Sequence, residues 1–267
     1  NVYTTEKNSE GKSEKKLIET PLLRTFPKSP FIPECKEERE SSSEDVITIQ
    51  ALGLKKRMAH TGCKYAIVGL SGGLDSTLAA IVICRTMDML GLSRENVIAV
   101  TMPCFGTTGR TYHNAIKLAK ELGITLREIN IKESVLSHLK DIGHDVNDHN
   151  VTFENAQARE RTQVLMDLAN EYGGLVIGTG DMSELALGFA TYNGDHMSMY
   201  GVNASIPKTL VRQLVRHAAE LALEDGKKEL SDVLTDIVET PVSPELLPTN
   251  DDGETEPVSY THLRAHE

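Results

Sequence analysis

The sequence contains no tryptophan, only 4% aromatic residues, no C-x-x-C pair, and no apolar run near the roughly 20 residues that cross a bilayer. Each absence removes a class of function. Cys35, Cys63, Cys84 and Cys104 lie at no zinc-like spacing from one another or from a histidine, so they read as reduced and mostly structural. Basic residues are also in short supply, with 28 Lys and Arg against 39 Asp and Glu and a formal net charge of -11. A phosphate-backbone partner draws on clustered Lys and Arg, so nucleic acid is not expected. Small anionic substrates remain compatible where local groups or a metal offset the charge. No secretory pattern opens the chain, and the expected setting is cytoplasmic with no membrane.

What is present reads as one sizeable α/β domain with extensions, in 267 residues of which 39% are apolar. Residues 1–42 are polar and broken by Pro21, Pro27, Pro30 and Pro33, the composition of a linker. Residues 43–255 form the expected domain. Residues 256–267, "EPVSYTHLRAHE", do not continue its pattern and read as a non-native tail.

Inside the domain, strands alternate with helices. Ser43 is a candidate cap for a helix through "EDVITIQALGLKKRMAHTG", stopping at Gly62. Short apolar runs at 65–70, "NVIAVTM", "TLREINI" and "LVIGTG" read as strands, and helical patterns at 77–90, "TYHNAIKLAKELG" and "NAQARERTQVLMDLANEYGG" separate them. A further helix starts at "DMSELALGF". The pattern predicts a doubly wound parallel sheet with helices on both faces. In such sheets ligands bind beyond the carboxyl ends of the strands, which gathers Ser71 to Ser76, Pro103 to Arg110 and Gly178 to Glu184 at one edge.

The stretch "GLSGGLDSTLAA" carries the sharpest chemistry. Gly72 and Gly73 let backbone N–H groups approach an anion, Ser71, Ser76 and Thr77 add hydroxyls, and the following helix offers its positive end. No lysine follows the glycines, so this is not a Walker A loop. Asp75 would repel bound phosphates unless a divalent cation stood between, which makes magnesium the economical inference. S-G-G alone fits a plain strand-to-helix turn about equally well.

The full string SGGLDS resembles the pyrophosphate-binding loop of the ATP pyrophosphatase superfamily. "TMPCFGTTGRTYHNA", "ENAQARERTQVLMDLAN", "VIGTGDMSELALGFATYNGDHMSMYGVNASIPKTLVR" and "TPVSPELLP" resemble NAD synthetases, and "PFIP" with "IQALGLKKRMAHTG" resembles the glutamine-dependent form. The resemblance covers about residues 30–255. It implies an adenine nucleotide alpha hydrolase-like fold and ATP-dependent amidation of deamido-NAD to NAD through an adenylated intermediate, with AMP and pyrophosphate released. Ammonia would come from glutamine through a nitrilase-like domain preceding the linker, and the longer protein would form a homo-oligomer.

The resemblance also distributes roles. Ser71, Gly72, Gly73, Asp75, Ser76, Thr107, Arg110, Thr179 and Lys208 fall to ATP and pyrophosphate, with Mg2+ on Asp75 and Glu184. Asn155, Arg159, Arg161 and Asp195 fall to deamido-NAD, and Asp75, Lys208 and Asp195 to catalysis. Without the resemblance, Glu184 is a favourable partner of a helix end, Lys208 a surface lysine, Thr179 a turn residue, Arg159 and Arg161 a solvated helix face, and Asp195 a turn residue. His113, His144, His149 and His196 show no ligand spacing. Rival readings are another amidotransferase of the superfamily, such as a GMP synthetase, and a non-catalytic ATP-binding module. Asp75, Glu184 and Lys208 together weigh against the second, because a sensor needs no means of holding a departing pyrophosphate.

Overall fold

The structure is a computed structural model that describes residues 3–7, 13–17, 23–25, 27, 29–105 and 109–240. The chain divides into two compact units, residues 1–31 and 32–267. In the first, β1 (Tyr3–Lys7) and β2 (Ser13–Leu17) pair antiparallel, with Tyr3 opposite Leu17 and Lys7 opposite Ser13.

The second unit opens with α1 (Lys36–Thr61), which ends at Gly62 in the left-handed conformation. It begins seven residues before Ser43, at an N-cap on Cys35. Glu37 and Glu38 in its first turn favour that start by complementing the helix dipole. Ser43 is buried inside the helix, its hydroxyl donating to the Arg39 carbonyl at 2.7 Å, a back-bond that lets serine sit in a helix without capping it.

There follow β3 (Ala66–Gly69), α2 (Leu74–Leu90), β4 (Val97–Thr101), α3 (Gly109–Leu122) and β5 (Thr125–Glu128). The chain continues through α4 (Lys132–Asp141), α5 (Val151–Tyr172), β6 (Leu175–Gly178), α6 (Met182–Leu187), β7 (Tyr200–Gly201), α7 (Lys208–Glu224) and α8 (Lys228–Glu239). The sheet order is β5-β4-β3-β6-β7 and every pairing is parallel. The four expected strands are all present. The fifth, β7, has only two residues and no apolar pattern of its own to announce it.

Strand alternation decides the layers. Ala66, Val68, Val97, Ala99, Leu175 and Ile177 join one core with residues of α1, α2, α3, α7 and α8. Ile67, Ile98, Val100 and Val176 join a second core with Val135 of α4 and Phe153, Ala156 and Ala169 of α5. Central strands covered on both faces must be apolar on both, and "AIVG", "VIAVT" and "LVIG" are. This is the doubly wound arrangement. Its winding reverses between β3 and β6, and the crevice beyond their carboxyl ends receives the loops that open α2 and α6.

Among the described residues, no helix is long and apolar enough to cross a membrane.

Candidate active site

The loop after β3 is shaped by a glycine that nothing can replace. Gly72 has φ of +84°, and a Cβ there would lie 2.0 Å from the Thr111 carbonyl oxygen of α3. Gly73 is the N-cap of α2, which therefore starts at Leu74, three residues earlier than its apolar pattern suggests. Ser71 Oγ accepts the Gly73 N–H at 3.2 Å and lies 3.3 Å from Ser76 Oγ, whose hydroxyl donates to the Gly73 carbonyl at 3.2 Å. Two hydroxyls and the end of α2 are thus gathered around one turn.

Asp75 stands in the first turn of α2 and faces the start of α6 across the crevice. There Asp181 and Glu184 form a reciprocal cap: Asp181 Oδ1 accepts the Glu184 N–H at 2.8 Å, and Glu184 Oε2 accepts the Asp181 N–H at 3.2 Å. The cap leaves one oxygen of each carboxylate for the crevice. Asp75, Asp181 and Glu184 present oxygens that all lie within 4.8 Å of one another.

Lys208 fills the space between them. It is the first residue of α7, behind Pro207, and its own N–H donates to Ser183 Oγ at 3.1 Å, while the Met182 N–H donates to the Ile206 carbonyl at 3.0 Å. These bonds stitch the starts of α6 and α7 together. The ammonium then reaches Asp75 Oδ2 at 2.6 Å, Asp181 Oδ2 at 3.0 Å and Glu184 Oε1 at 3.0 Å. Asp181 is fully buried, and its Oδ2 makes no well-angled hydrogen bond, only the ion pair.

One ammonium against three carboxylates leaves the cluster with excess negative charge at little exposure to water. Burial first, and then the charge of Asp75, push the Glu184 carboxyl up to about 7 against the pull of Lys208. Burial alone would lower the Lys208 ammonium, but Asp75 and Glu184 hold it above its ordinary value. Lys208 is therefore a fixed positive charge. Three carboxylates sharing one ammonium, and a buried Asp181 oxygen that has an ion pair but no hydrogen bond, are hard donors that fit a small divalent cation. Asp75, Asp181 and Glu184 are the residues that could hold it.

A second group of expected residues meets at the N-terminal half of α5. Asn155 Oδ1 accepts the Thr191 hydroxyl at 2.8 Å, the Thr191 N–H donates to Asp195 Oδ1 at 2.7 Å, and Arg159 Nε donates to the Tyr192 carbonyl at 3.2 Å. Arg161 contributes charge to the same place, opposing the effect of burial, which raises the Asp195 carboxyl despite the Thr191 N–H. Asp195 touches water, yet enough protein crowds it to disfavour its charge. Asn193 adopts φ of +57° in the turn, a conformation asparagine tolerates better than most side chains.

Arg110 is committed to Asp236 of α8, with Nη2 2.6 Å from Oδ1 and Nε 3.1 Å from Oδ2. Thr107 lies outside the described residues. Thr179 follows β6 as expected, but its carbonyl accepts from Asn203 Nδ2 at 3.0 Å.

Asp181 is the acid that the sequence does not single out. Its D-x-x-E spacing signals a capping box, whereas its burial, which makes it the third acid, has no local signature.

Comparison with known proteins follows the same lines. The family model described as NAD synthase matches residues 46–265. The glutamine-dependent NAD(+) synthetase of Mycobacterium leprae (strain TN) is 42% identical over 238 residues, which is 87% of this chain and 34% of that protein. That of Aquifex aeolicus (strain VF5) is 30% identical over 223 residues, 83% of this chain and 37% of that protein. The chain thus spans about a third of the length of these relatives. Among solved structures, the Acinetobacter baumannii glutamine-dependent NAD+ synthetase in complex with adenosine diphosphate superposes with a TM-score of 0.67 at 24% identity, covering 89% of this chain and 40% of that one. The NH3-dependent NAD synthetase of Campylobacter jejuni gives 0.58 at 23% identity, covering 74% and 93%. These two likenesses speak for the fold, an adenine nucleotide alpha hydrolase-like sheet of the ATP pyrophosphatase kind. With its family pattern running from the first core helix through the end of the described residues, the chain belongs to the NAD synthase family.

Proposed function

We propose that this domain catalyses ATP-dependent amidation of deamido-NAD to NAD. The observation that carries the reading is Lys208 set among Asp75, Asp181 and Glu184, next to the Ser71–Ser76 turn and the positive end of α2.

A nicotinate carboxylate is a poor electrophile. Its oxygen attacks the α-phosphorus of ATP, the bond to the β-phosphate oxygen breaks, and pyrophosphate leaves with the electron pair. Ammonia then adds to the acyl carbon, and AMP departs carrying the former carboxylate oxygen. The proton lost by ammonia passes to a base or to water.

Ser71, Gly73, Ser76 and the end of α2 receive the departing pyrophosphate through N–H and O–H donors. Lys208 lies one side-chain movement from the same space, and its fixed charge offsets what develops at the α-phosphate. Asp75, Asp181 and Glu184 would hold Mg2+, which when bound supplies Lewis-acid neutralisation of the phosphate oxygens. Asp195, whose carboxyl is raised by burial, would take a proton from the attacking nitrogen, and Asn155, Arg159 and Arg161 would orient the substrate around it. In longer family members described as glutamine-dependent, glutamine would supply the ammonia.

Incubation with ATP, Mg2+ and ammonium, with either deamido-NAD or XMP added, tests the reading. NAD formed with deamido-NAD, and no GMP formed from XMP, is the expected result. GMP formation would move the domain to another amidotransferase of the fold.

A further inference from the structure

Two polar side chains behind the site are buried, hydrogen-bonded to each other, and unused by the chemistry above. Asn203, fully buried, lies in the turn between β7 and α7. Its Nδ2 donates to the Asp75 carbonyl at 2.9 Å and to the Thr179 carbonyl at 3.0 Å. Gln50 of α1, also buried, donates from Nε2 to Asn203 Oδ1 at 3.1 Å and to the Val202 carbonyl at 2.8 Å.

The two carbonyls that Asn203 grips belong to different loops. Asp75 lies in the first turn of α2, and Thr179 follows β6, two residues before Asp181. One amide nitrogen therefore ties together the two segments whose carboxylates face each other within 4.8 Å. We propose that Asn203, held in orientation by Gln50, is a positioning residue that fixes the separation of the two carboxylate-bearing loops.

The physical case has two parts. Excess negative charge on Asp75, Asp181 and Glu184 pushes the loops apart, and Lys208 is the only cation tying their side chains among the described residues. Lys208 must give up part of that tie when it turns to a phosphate. Asn203 ties the same loops at the backbone, is neutral, and keeps its bonds whatever Lys208 does. Second, the amide works in one orientation only. Rotated by half a turn, its Oδ1 would face two carbonyl oxygens, a buried repulsion with no donor to relieve it. The Gln50 NH2 group excludes that state by donating to Oδ1. Gln50 thus acts on the site only through Asn203.

The inference rests on the amidation reading for its effect on turnover, but not for its effect on the loops. The test is backbone hydrogen exchange on the whole chain with Asn203→Leu, Gln50→Met and the double variant. Gln50→Met keeps the volume, touches no carboxylate of the cluster, and stands in should Asn203→Leu fail to fold. In each single variant, exchange at 71–76 and 179–184 rises together by about tenfold while α8 keeps its protection. The double variant matches Asn203→Leu instead of adding to it. Mg2+ affinity, read by calorimetry, falls by about tenfold, and kcat falls while KM for deamido-NAD holds. Unchanged exchange in both loops, or an even rise along the chain, would overturn the clamp and reduce Asn203 to packing. Exchange needs no turnover, so if the unaltered chain makes no NAD while the variants loosen at these two loops, the amidation reading fails and the clamp stands.

Discussion

The acid cluster and the Asp195 turn are both expected to meet one substrate complex, yet they are built in opposite ways. In the cluster, Asp75, Asp181, Glu184 and Lys208 each sit in the first turn or at the cap of a helix, and charge contacts of 2.6 to 3.0 Å hold them. Around the turn, Asn155 and Arg159 of α5 and Asp195 of the turn itself are held by hydrogen bonds to the turn's backbone and hydroxyl groups, and Arg159 and Asp195 are exposed. A centre for a reaction with large charge development gains from rigid, poorly hydrated charges. A surface that must admit a dinucleotide and release it gains from a loop. On the proposed amidation reading, the chemistry of ATP would fall to the first region and substrate orientation to the second.

Variants in the cluster should therefore have the largest effects, chiefly on kcat. Lys208→Ala removes the only cation the described residues place against three partly buried carboxylates and should lower kcat about 10²- to 10³-fold, roughly 3–4 kcal/mol of transition-state stabilisation. Denaturant unfolding should also show lost stability, because breaking a buried ion pair leaves its partners unpaired. Unchanged turnover would move ATP chemistry away from this cluster. Asp75→Asn should keep the fold by circular dichroism and lose Mg2+-dependent pyrophosphate release.

Asp195→Asn sharpens the other side. As a general base it should contribute about 10²-fold, and the loss should shrink as pH rises, because ammonium then sheds its own proton. A pH-independent deficit would leave Asp195 with a binding role only.

The pH response of stability separates the regions further. Glu184 is held at about 7 in the fold, above its ordinary 4.5, so the native state binds its proton more tightly than the unfolded chain. Its contribution to stability is complete below the unfolded value and declines as pH rises through about 7. Mg2+ binding needs the carboxylate and should strengthen over the same range. Unfolding midpoints from pH 5 to 8, with and without Mg2+, should show a decline that the metal reverses. Glu184→Gln should flatten it, and a slope surviving in that variant would point to another group.

Arg159→Ala should have the smallest effect. The side chain is exposed and its Nε serves the Tyr192 carbonyl, so KM for deamido-NAD should rise a few-fold with kcat unchanged. A large fall in kcat would show that Arg159 itself takes part in the chemistry.

Much of the frame was legible because its signals are local. Three strands carry apolar runs, Gly62, Gly91 and Gly173 stop helices in the left-handed conformation, and "SGGLDS" marks a strand-to-helix turn without any neighbour. The start of α1 was misjudged because a serine before an apolar run is a common cap, and burial by back-bonding leaves no pattern. The third acid and the clamp escaped for a physical reason. Gln50 and Asn203 are 153 positions apart, and Asn203 and Asp75 are 128 apart. Only the folded sheet brings them into one crevice. The 450 Å³ groove between α3 and α8, lined by Arg110, His113 and Asp232, is likewise assembled from distant segments, with Arg110 paired to Asp236.

The central claim is that ATP is split here by a carboxylate at the α-phosphorus. Deamido-NAD with its nicotinate carboxylate labelled in heavy oxygen, incubated with ATP, Mg2+ and ammonium, tests it most directly by mass spectrometry of the AMP. One label atom in AMP, with pyrophosphate and NAD formed in equal amounts, is the predicted result. Label-free AMP, or label in inorganic phosphate alongside ADP, would contradict it.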